Sequence, residues 1–275
     1  MPVCPICPKQ CKLQEGQTGF CHARACINGV IVPINYGKIT SIALDPIEKK
    51  PLYHFFPKSH ILSVGSFGCN LRCPFCQNYQ ISMANMQTAA YRTIAPYELV
   101  DLALKLAHQP LGNIGVAFTY NEPFISYEYV RDCAILLHQA GLKTVLVTNG
   151  HINLPPLQDL LPLIDAMNID LKGFTQEYYD YVGGNLECVK QTIAAAYDKC
   201  HVEVTTLIVP TKNDRADDME KQAKWLASLS AEIPLHISRY FPRYKSTIAM
   251  TPIEKMYELQ MVAQKYLHNV HLGNC

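Results

Sequence analysis

From residue 60 onward, short apolar runs alternate with longer stretches whose apolar residues recur at three- and four-residue steps. Strands are expected at 61–67, 114–119, 143–148, 166–171, 202–209 and 235–240, and helices at 96–108, 125–139, 156–163, 176–181, 186–199, 217–229 and 252–266. In the first helix Leu99, Leu102, Ala103, Leu106 and Ala107 make the apolar stripe, and Pro96 stands near its first turn, where a missing N–H does no harm. Gly141 stops the second helix, and Gly183-Gly184 separates two helical pieces. Six strand–helix units in succession predict an α/β fold on a parallel sheet with right-handed crossovers. A closed barrel of eight units would need two more.

Residues 1–58 do not share this alternation. Cys4, Cys7, Cys11 and Cys21 fall among Pro5, Pro8, Gly16 and Gly19, and so short a stretch cannot bury a core of its own. A metal staple is the usual remedy, either zinc or a second iron–sulfur cluster, with Cys26 and His22 as spare ligands. A connecting segment with Pro46, Pro51 and Pro57 follows, and its apolar end should pack on what comes next. His54 is expected there as a packing residue. The expected division is therefore 1–58, a Cys-rich segment and linker, and 59–275, the core domain.

Composition sharpens this picture in two ways. The formal net charge is +1 with no basic block, which gives no ground for nucleic acid or a membrane surface as a partner. No apolar run resembles a signal peptide or spans a bilayer, so a soluble, cytoplasmic protein is expected. In that compartment the 12 cysteines are to be read as metal ligands before disulfides, and eight of them lie within the first 76 residues.

Three of those eight carry the chemistry. Cys69, Cys73 and Cys76 stand in Gly68-Cys69-Asn70-Leu71-Arg72-Cys73-Pro74-Phe75-Cys76-Gln77-Asn78. Three thiolates so spaced can hold a cubane cluster that normally takes four, leaving one iron open. The other readings are a structural zinc site or three buried thiols packed as small hydrophobes. Cys-x3-Cys-x2-Cys with Phe75 before the last cysteine resembles the signature of the radical S-adenosylmethionine (SAM) superfamily. The resemblance implies a [4Fe–4S] cluster on Cys69, Cys73 and Cys76. It also implies SAM on the open iron, and reductive cleavage to a 5′-deoxyadenosyl radical that abstracts hydrogen from a substrate. It further implies the partial (β/α)6 TIM-like barrel of radical SAM type, with which the strand–helix alternation agrees independently.

In parallel α/β folds the carboxyl ends of strands carry the ligands. The second strand ends in Thr119-Tyr120-Asn121-Glu122-Pro123, similar to the segment that holds the SAM amino group; a plain helix start, with Asn121 capping, would read the same. Asn149 in Thr148-Asn149-Gly150 is a candidate for the ribose or carboxylate of SAM, or a turn. Asp170 and Lys172 share one side of their strand and resemble the Asp-x-Lys of glycyl-radical activating enzymes, or form a surface ion pair. His236 resembles a late histidine of the same activases, or is a buried core histidine.

The whole chain is similar to the activating-enzyme-like (pyruvate formate-lyase activating enzyme-like) branch called AmmeMemoRadiSam. The shared segments run from Cys4-Pro5-Ile6-Cys7 through Asp45-Pro46-Ile47-Glu48-Lys49-Lys50-Pro51-Leu52 to His236-Ile237-Ser238-Arg239-Tyr240. Many relatives continue past Gly273-Asn274 with a further Cys-x2-Cys pair, whereas this sequence ends at Cys275, so the amino-terminal site is expected to be self-contained or to recruit Cys275. The resemblance implies a protein substrate, such as a glycyl-radical enzyme or a Memo- or AMMECR-type partner, and a flavodoxin- or ferredoxin-like electron donor. A small-molecule substrate and a plain electron-transfer protein are the alternatives.

Overall fold

The computed structural model describes all 275 residues. The chain opens with a hairpin, β1 (Arg24–Ile27) and β2 (Val30–Pro33), closed by Asn28-Gly29 with both residues at positive φ, 52° and 74°. That conformation suits a two-residue turn whose twist matches the strands. Then come β3 (Lys38–Ile39), β4 (Ser41–Pro46), β5 (His60–Gly65), α1 (Tyr79–Ser82), β6 (Arg92–Thr93) and α2 (Pro96–Ala107). The alternating part continues with β7 (Gly115–Phe118), α3 (Tyr127–Gln139), β8 (Lys143–Thr148), α4 (Leu154–Leu160), β9 (Ala166–Asp170), α5 (Gln176–Val182) and α6 (Leu186–Ala196). It closes with β10 (His201–Ile208), α7 (Ala216–Leu229), β11 (Leu235–Arg239), α8 (Ile253–Ala263) and β12 (Val270–Gly273).

One sheet of eight strands organises the molecule, in the order β12-β11-β10-β9-β8-β7-β5-β4. Every neighbouring pair is parallel except β4–β5. The order from β5 to β12 never reverses. With right-handed crossovers throughout, all connecting helices fall on one face, and the sheet curls as a partial barrel. It stays open, because β4 and β12 are its two edges and do not pair with each other.

The six expected units are present, with two additions. β12 extends the parallel set beyond the last expected helix, and β4 pairs along its whole length with β5, from Ser41 opposite Gly65 to Pro46 opposite His60. β4 lies within the expected segment 1–58 and runs into its linker at Asp45-Pro46, so the boundary at 58/59 is bridged by a ladder of hydrogen bonds.

Local chemistry sets the helix starts. Ala95 offers no capping side chain, but Glu98 reaches back to its N–H at 2.7 Å, ahead of Pro96. Thr175 and Asn185 cap α5 and α6 through their side-chain oxygens, and Gly183 ends α5 at φ 78°. The apolar end of the linker behaves as expected: Ile47, Leu52 and Phe55 pack on Ile61, Ala117, Val145 and Ala166, at or near the amino ends of β5, β7, β8 and β9. The base of the half-barrel is thereby plugged, and the opposite rim remains for ligands.

Candidate active site

β5 delivers its chain to that rim at Gly65, where a Cβ would stand 2.9 Å from the Tyr120 ring and 3.0 Å from the Thr119 carbonyl oxygen. Gly68 is tighter still: its φ is +89°, and a Cβ would lie 2.4 Å from the Cys21 carbonyl oxygen. Only glycine permits that approach. The loop beyond is held from several sides. Asn121 accepts from the Ser66 N–H at 3.0 Å and donates to the Gly68 carbonyl at 3.1 Å, while the Arg72 N–H donates to the Val182 carbonyl at 2.8 Å. Phe75 is buried between Tyr181 and Tyr240, with ring centroids 6.4 and 6.1 Å away.

Cys69, Cys73 and Cys76 line one cavity of about 270 Å³ together with Phe75, Asn121, Glu122, Asn149, Asp170 and Lys172. No fourth cysteine reaches it. Cys69 Sγ receives the Leu71 N–H at 3.4 Å and the Asn149 side-chain amide at 3.6 Å, and Cys76 Sγ lies 3.0 Å from Ser82 Oγ. Burial raises the Cys69 thiol well above its ordinary pKa. Cys73 is pushed up to about 11, again by burial, with the Lys172 cation pulling the other way. Such thiols stay protonated at neutral pH until a metal binds their sulfur and displaces the proton to water.

Glu122 is wholly buried. Its Oε1 accepts from the Phe124 N–H at 2.9 Å and the Thr148 hydroxyl at 2.7 Å, and its Oε2 from the Asn149 N–H at 2.8 Å. Three of a carboxylate's roughly four acceptor positions are thus used, which leaves one facing the cavity. Burial outweighs these donors and pushes the carboxyl up to about 7. Asp170 and Lys172 pair at 2.6 Å, with Lys172 side-chain exposure of only 16%. The pair belongs to the cavity wall and not to a solvated surface. Burial alone would lower Lys172, but Asp170 and the Cys73 thiol carry it upward.

His236 stands apart from this constellation. Its Nε2 lies 2.6 Å from Glu203 Oε2, its ring packs on Tyr53 and His271, and it does not line the cavity. It faces the same side as Ser238, which does line it, but two residues earlier on β11 and so one layer deeper. Thr205 and Ser238 also reach the cavity from β10 and β11, as do Tyr120, Thr148 and Ser82 from elsewhere. Thr205 and Ser238 lie on the inward faces of β10 and β11, each two residues beyond Glu203 and His236, and nothing in their chemistry marks them.

No three His, Cys, Asp or Glu side chains stand drawn in to the separations a single metal ion imposes. A cubane spreads its thiolates over different irons and needs no such convergence. The donor set of the large cavity therefore suits a cluster with room beside it: three thiols, a buried carboxylate with an acceptor position to spare, and a lysine offsetting negative charge.

Comparison with known proteins agrees. The model of the radical SAM superfamily matches residues 63–226, more than half of the chain. The chain belongs to the radical SAM superfamily. An uncharacterized protein of Methanocaldococcus jannaschii is 41% identical over 98% of this chain and 80% of its own length. The pyruvate formate-lyase 1-activating enzyme of Escherichia coli is 24% identical over 56% of this chain and 63% of its own length. The structure of Streptococcus suis SuiB bound to S-adenosylmethionine superposes with a TM-score of 0.60 over 78% of this chain and 52% of that one, at 12% identity, which speaks for the fold. Membership makes the protein an enzyme and implies a [4Fe–4S] cluster and SAM. No helix is long and apolar enough to cross a membrane.

Proposed function

We propose that this radical SAM enzyme is an activase or modifier that abstracts hydrogen from a polypeptide, with a flavodoxin- or ferredoxin-like protein as its electron donor. When bound, a reduced [4Fe–4S] cluster supplies the electron that splits SAM into methionine and a 5′-deoxyadenosyl radical. In this reading Cys69, Cys73 and Cys76 hold the cluster, and Phe75 packs the loop that carries them. Glu122 offers its remaining acceptor position to the amino end of SAM. Asn149 holds Cys69 with its side chain and Glu122 with its backbone. Asp170 and Lys172 present both charges at the cavity wall, where a zwitterionic amino acid finds a partner for each of its ends. Tyr120 is fixed by its hydroxyl bond to Asp45 at 2.9 Å.

The observation that carries the choice of a polypeptide is the shape of the rim. An open recess lined by Gln77, Asn78, Phe241, Pro242 and Arg243 adjoins the cavity at Gln77 and Asn78, which line both. Phe241 is 40% exposed there. A small substrate would be better served by a closed polar pocket. The test uses reconstituted, reduced enzyme with SAM and a deuterium-labelled cell extract separated by ultrafiltration. Deuterium entering 5′-deoxyadenosine from the macromolecular fraction alone is the expected result. Transfer only from the low-mass fraction would overturn the polypeptide reading, and no deoxyadenosine under any condition would overturn the catalytic one.

A further inference from the structure

A second group of cysteines meets away from the active-site cavity. Cys4, Cys7, Cys11 and Cys21 line a separate pocket of about 10 Å³, and all four are free thiols. That is room for one water-sized particle, small beside the active-site cavity, so a single ion suits the space better than a cubane. The thiols would draw together on binding it, since no three of them stand at the separations a bound ion imposes. The spacings Cys4-x2-Cys7 and Cys7-x3-Cys11 are those of tetrahedral thiolate sites. Cys26 and His22 are not part of it. The Cys26 thiol lies 3.8 Å from Glu15 Oε2, His22 Nε2 lies 3.3 Å from Arg72, and neither residue lines the pocket. Cys275 is exposed and lies against the Gly273 carbonyl.

Two further features call for negative charge in this pocket. Arg24 lines it and is 3% exposed; its terminal nitrogens are spent on Glu128 and the Ile125 carbonyl, yet its buried Nε–H has no acceptor. A buried donor without a partner is rare enough to need a reason. The backbone supplies one more donor: the Phe20 N–H donates to Cys11 Sγ at 3.5 Å.

The pocket is also joined to the active-site loop. The Cys69 N–H donates to the Cys21 carbonyl at 3.2 Å, the oxygen that Gly68 must approach so closely. The Arg72 guanidinium donates to the Phe20 carbonyl and stacks 4.0 Å above the Phe20 ring. Asn70, fully buried between Cys69 and Leu71, lines the small pocket and accepts from the Asn149 side chain at 2.9 Å.

We propose that Cys4, Cys7, Cys11 and Cys21 bind one zinc ion as a tetrathiolate, and that this ion braces the loop carrying Cys69, Cys73 and Cys76. On binding, each thiol surrenders its proton to water and becomes a ligand; the ion meets two of the four charges, and the free Arg24 Nε–H and the Phe20 amide are donors for the remainder. Only the brace depends on reading Cys69, Cys73 and Cys76 as the cluster site.

The experiment separates the two halves. A chain with Cys69→Ala, Cys73→Ala and Cys76→Ala is expected to retain about one zinc and no iron, and after cobalt exchange to show the visible absorption of a tetrahedral tetrathiolate. Iron and sulfide in that variant would overturn zinc in favour of a second cluster, and a folded variant with no metal would overturn the site altogether. Should the variant fail to fold, cadmium-113 NMR on the exchanged, unaltered chain decides the same question, a tetrathiolate shift supporting zinc and its absence refuting it. For the brace, the reconstituted enzyme is stripped of zinc by a chelator and its iron release is timed. Release several-fold faster than from the zinc-loaded enzyme is expected; an unchanged rate would overturn the brace and leave the zinc site standing. An unaltered chain that takes up no iron would refute the cluster reading instead, and the zinc count would be unaffected.

Discussion

The backbone N–H of Asn149 donates to Glu122 Oε2 at 2.8 Å, so the ends of β7 and β8 share one buried carboxylate at the cavity wall. Burial lifts that carboxyl from 4.5 to about 7. A carboxyl raised on folding binds its proton more tightly in the native state than in the unfolded one. Its contribution to stability is therefore full below about 4.5 and is lost as the pH rises through about 7. The effect amounts to a few kcal/mol at most, since one pKa unit is worth ~1.4 kcal/mol. The comparison with Glu122→Gln isolates this carboxyl from every other titrating group. Urea unfolding at pH 5 and pH 8 should show a steeper decline in the unaltered chain than in Glu122→Gln. Equal slopes would mean that the carboxyl is not raised. Glu122→Gln should also bind SAM more weakly, measured by equilibrium dialysis.

Cys73→Ala removes one of the three thiols of the cavity and should abolish both cluster loading and SAM cleavage. Iron and sulfide per chain after anaerobic reconstitution, and 5′-deoxyadenosine after reduction, are the readouts. A variant that loads a cluster and cleaves SAM normally would sink the assignment of Cys69, Cys73 and Cys76.

Lys172 lies close enough to lower the pKa of the Cys73 thiol and is paired to Asp170 at 2.6 Å. Lys172→Met leaves the Asp170 carboxylate without its cation, and the cavity wall then presents uncompensated negative charge. SAM affinity should fall by roughly tenfold or more, the equivalent of losing one hydrogen bond to a charged group. The iron content should stay near that of the unaltered enzyme. Unchanged affinity would remove the Asp170–Lys172 pair from the SAM site.

These residues also show what could be read without coordinates. β8 falls on its expected bounds because a short β-branched, apolar run is closed by Asn149-Gly150, and the cysteine loop is legible because its spacing is local. β4 is not legible as a strand because Ser41-Ile42-Ala43-Leu44 runs straight into Asp45-Pro46, where the connecting segment begins; its partner, β5, makes it a strand. β12 is four residues long, too short for periodicity to register. The cavity residues Thr205 and Ser238 carry no chemical mark, and their place depends on how far each strand runs before it meets the rim. His236 misleads for the complementary reason. Its chemistry is conspicuous, but a step of two residues on the same face moves a side chain from the rim to the interior.

That interior position leads to the last prediction. Glu203 is fully buried and takes four donors: the N–H groups of Tyr53 and His54 at 3.0 and 2.8 Å, His201 Nε2 at 2.9 Å and His236 Nε2 at 2.6 Å. Burial alone would raise this carboxyl, but the donors prevail and hold it at about 2, below its ordinary 4.5. A depressed carboxyl contributes stability above pH 4.5 and loses it as the pH falls toward 2. His236→Ala removes one donor from a buried charge and opens a gap beside Tyr53 and His271, at a cost of about 1–3 kcal/mol. Because this cluster ties the plug at the base to β10 and β11, while the cavity lies at the opposite rim, the variant should melt several degrees lower yet bind SAM with nearly unchanged affinity. Loss of SAM affinity at unchanged melting temperature would return His236 to the ligand site, where the family resemblance put it.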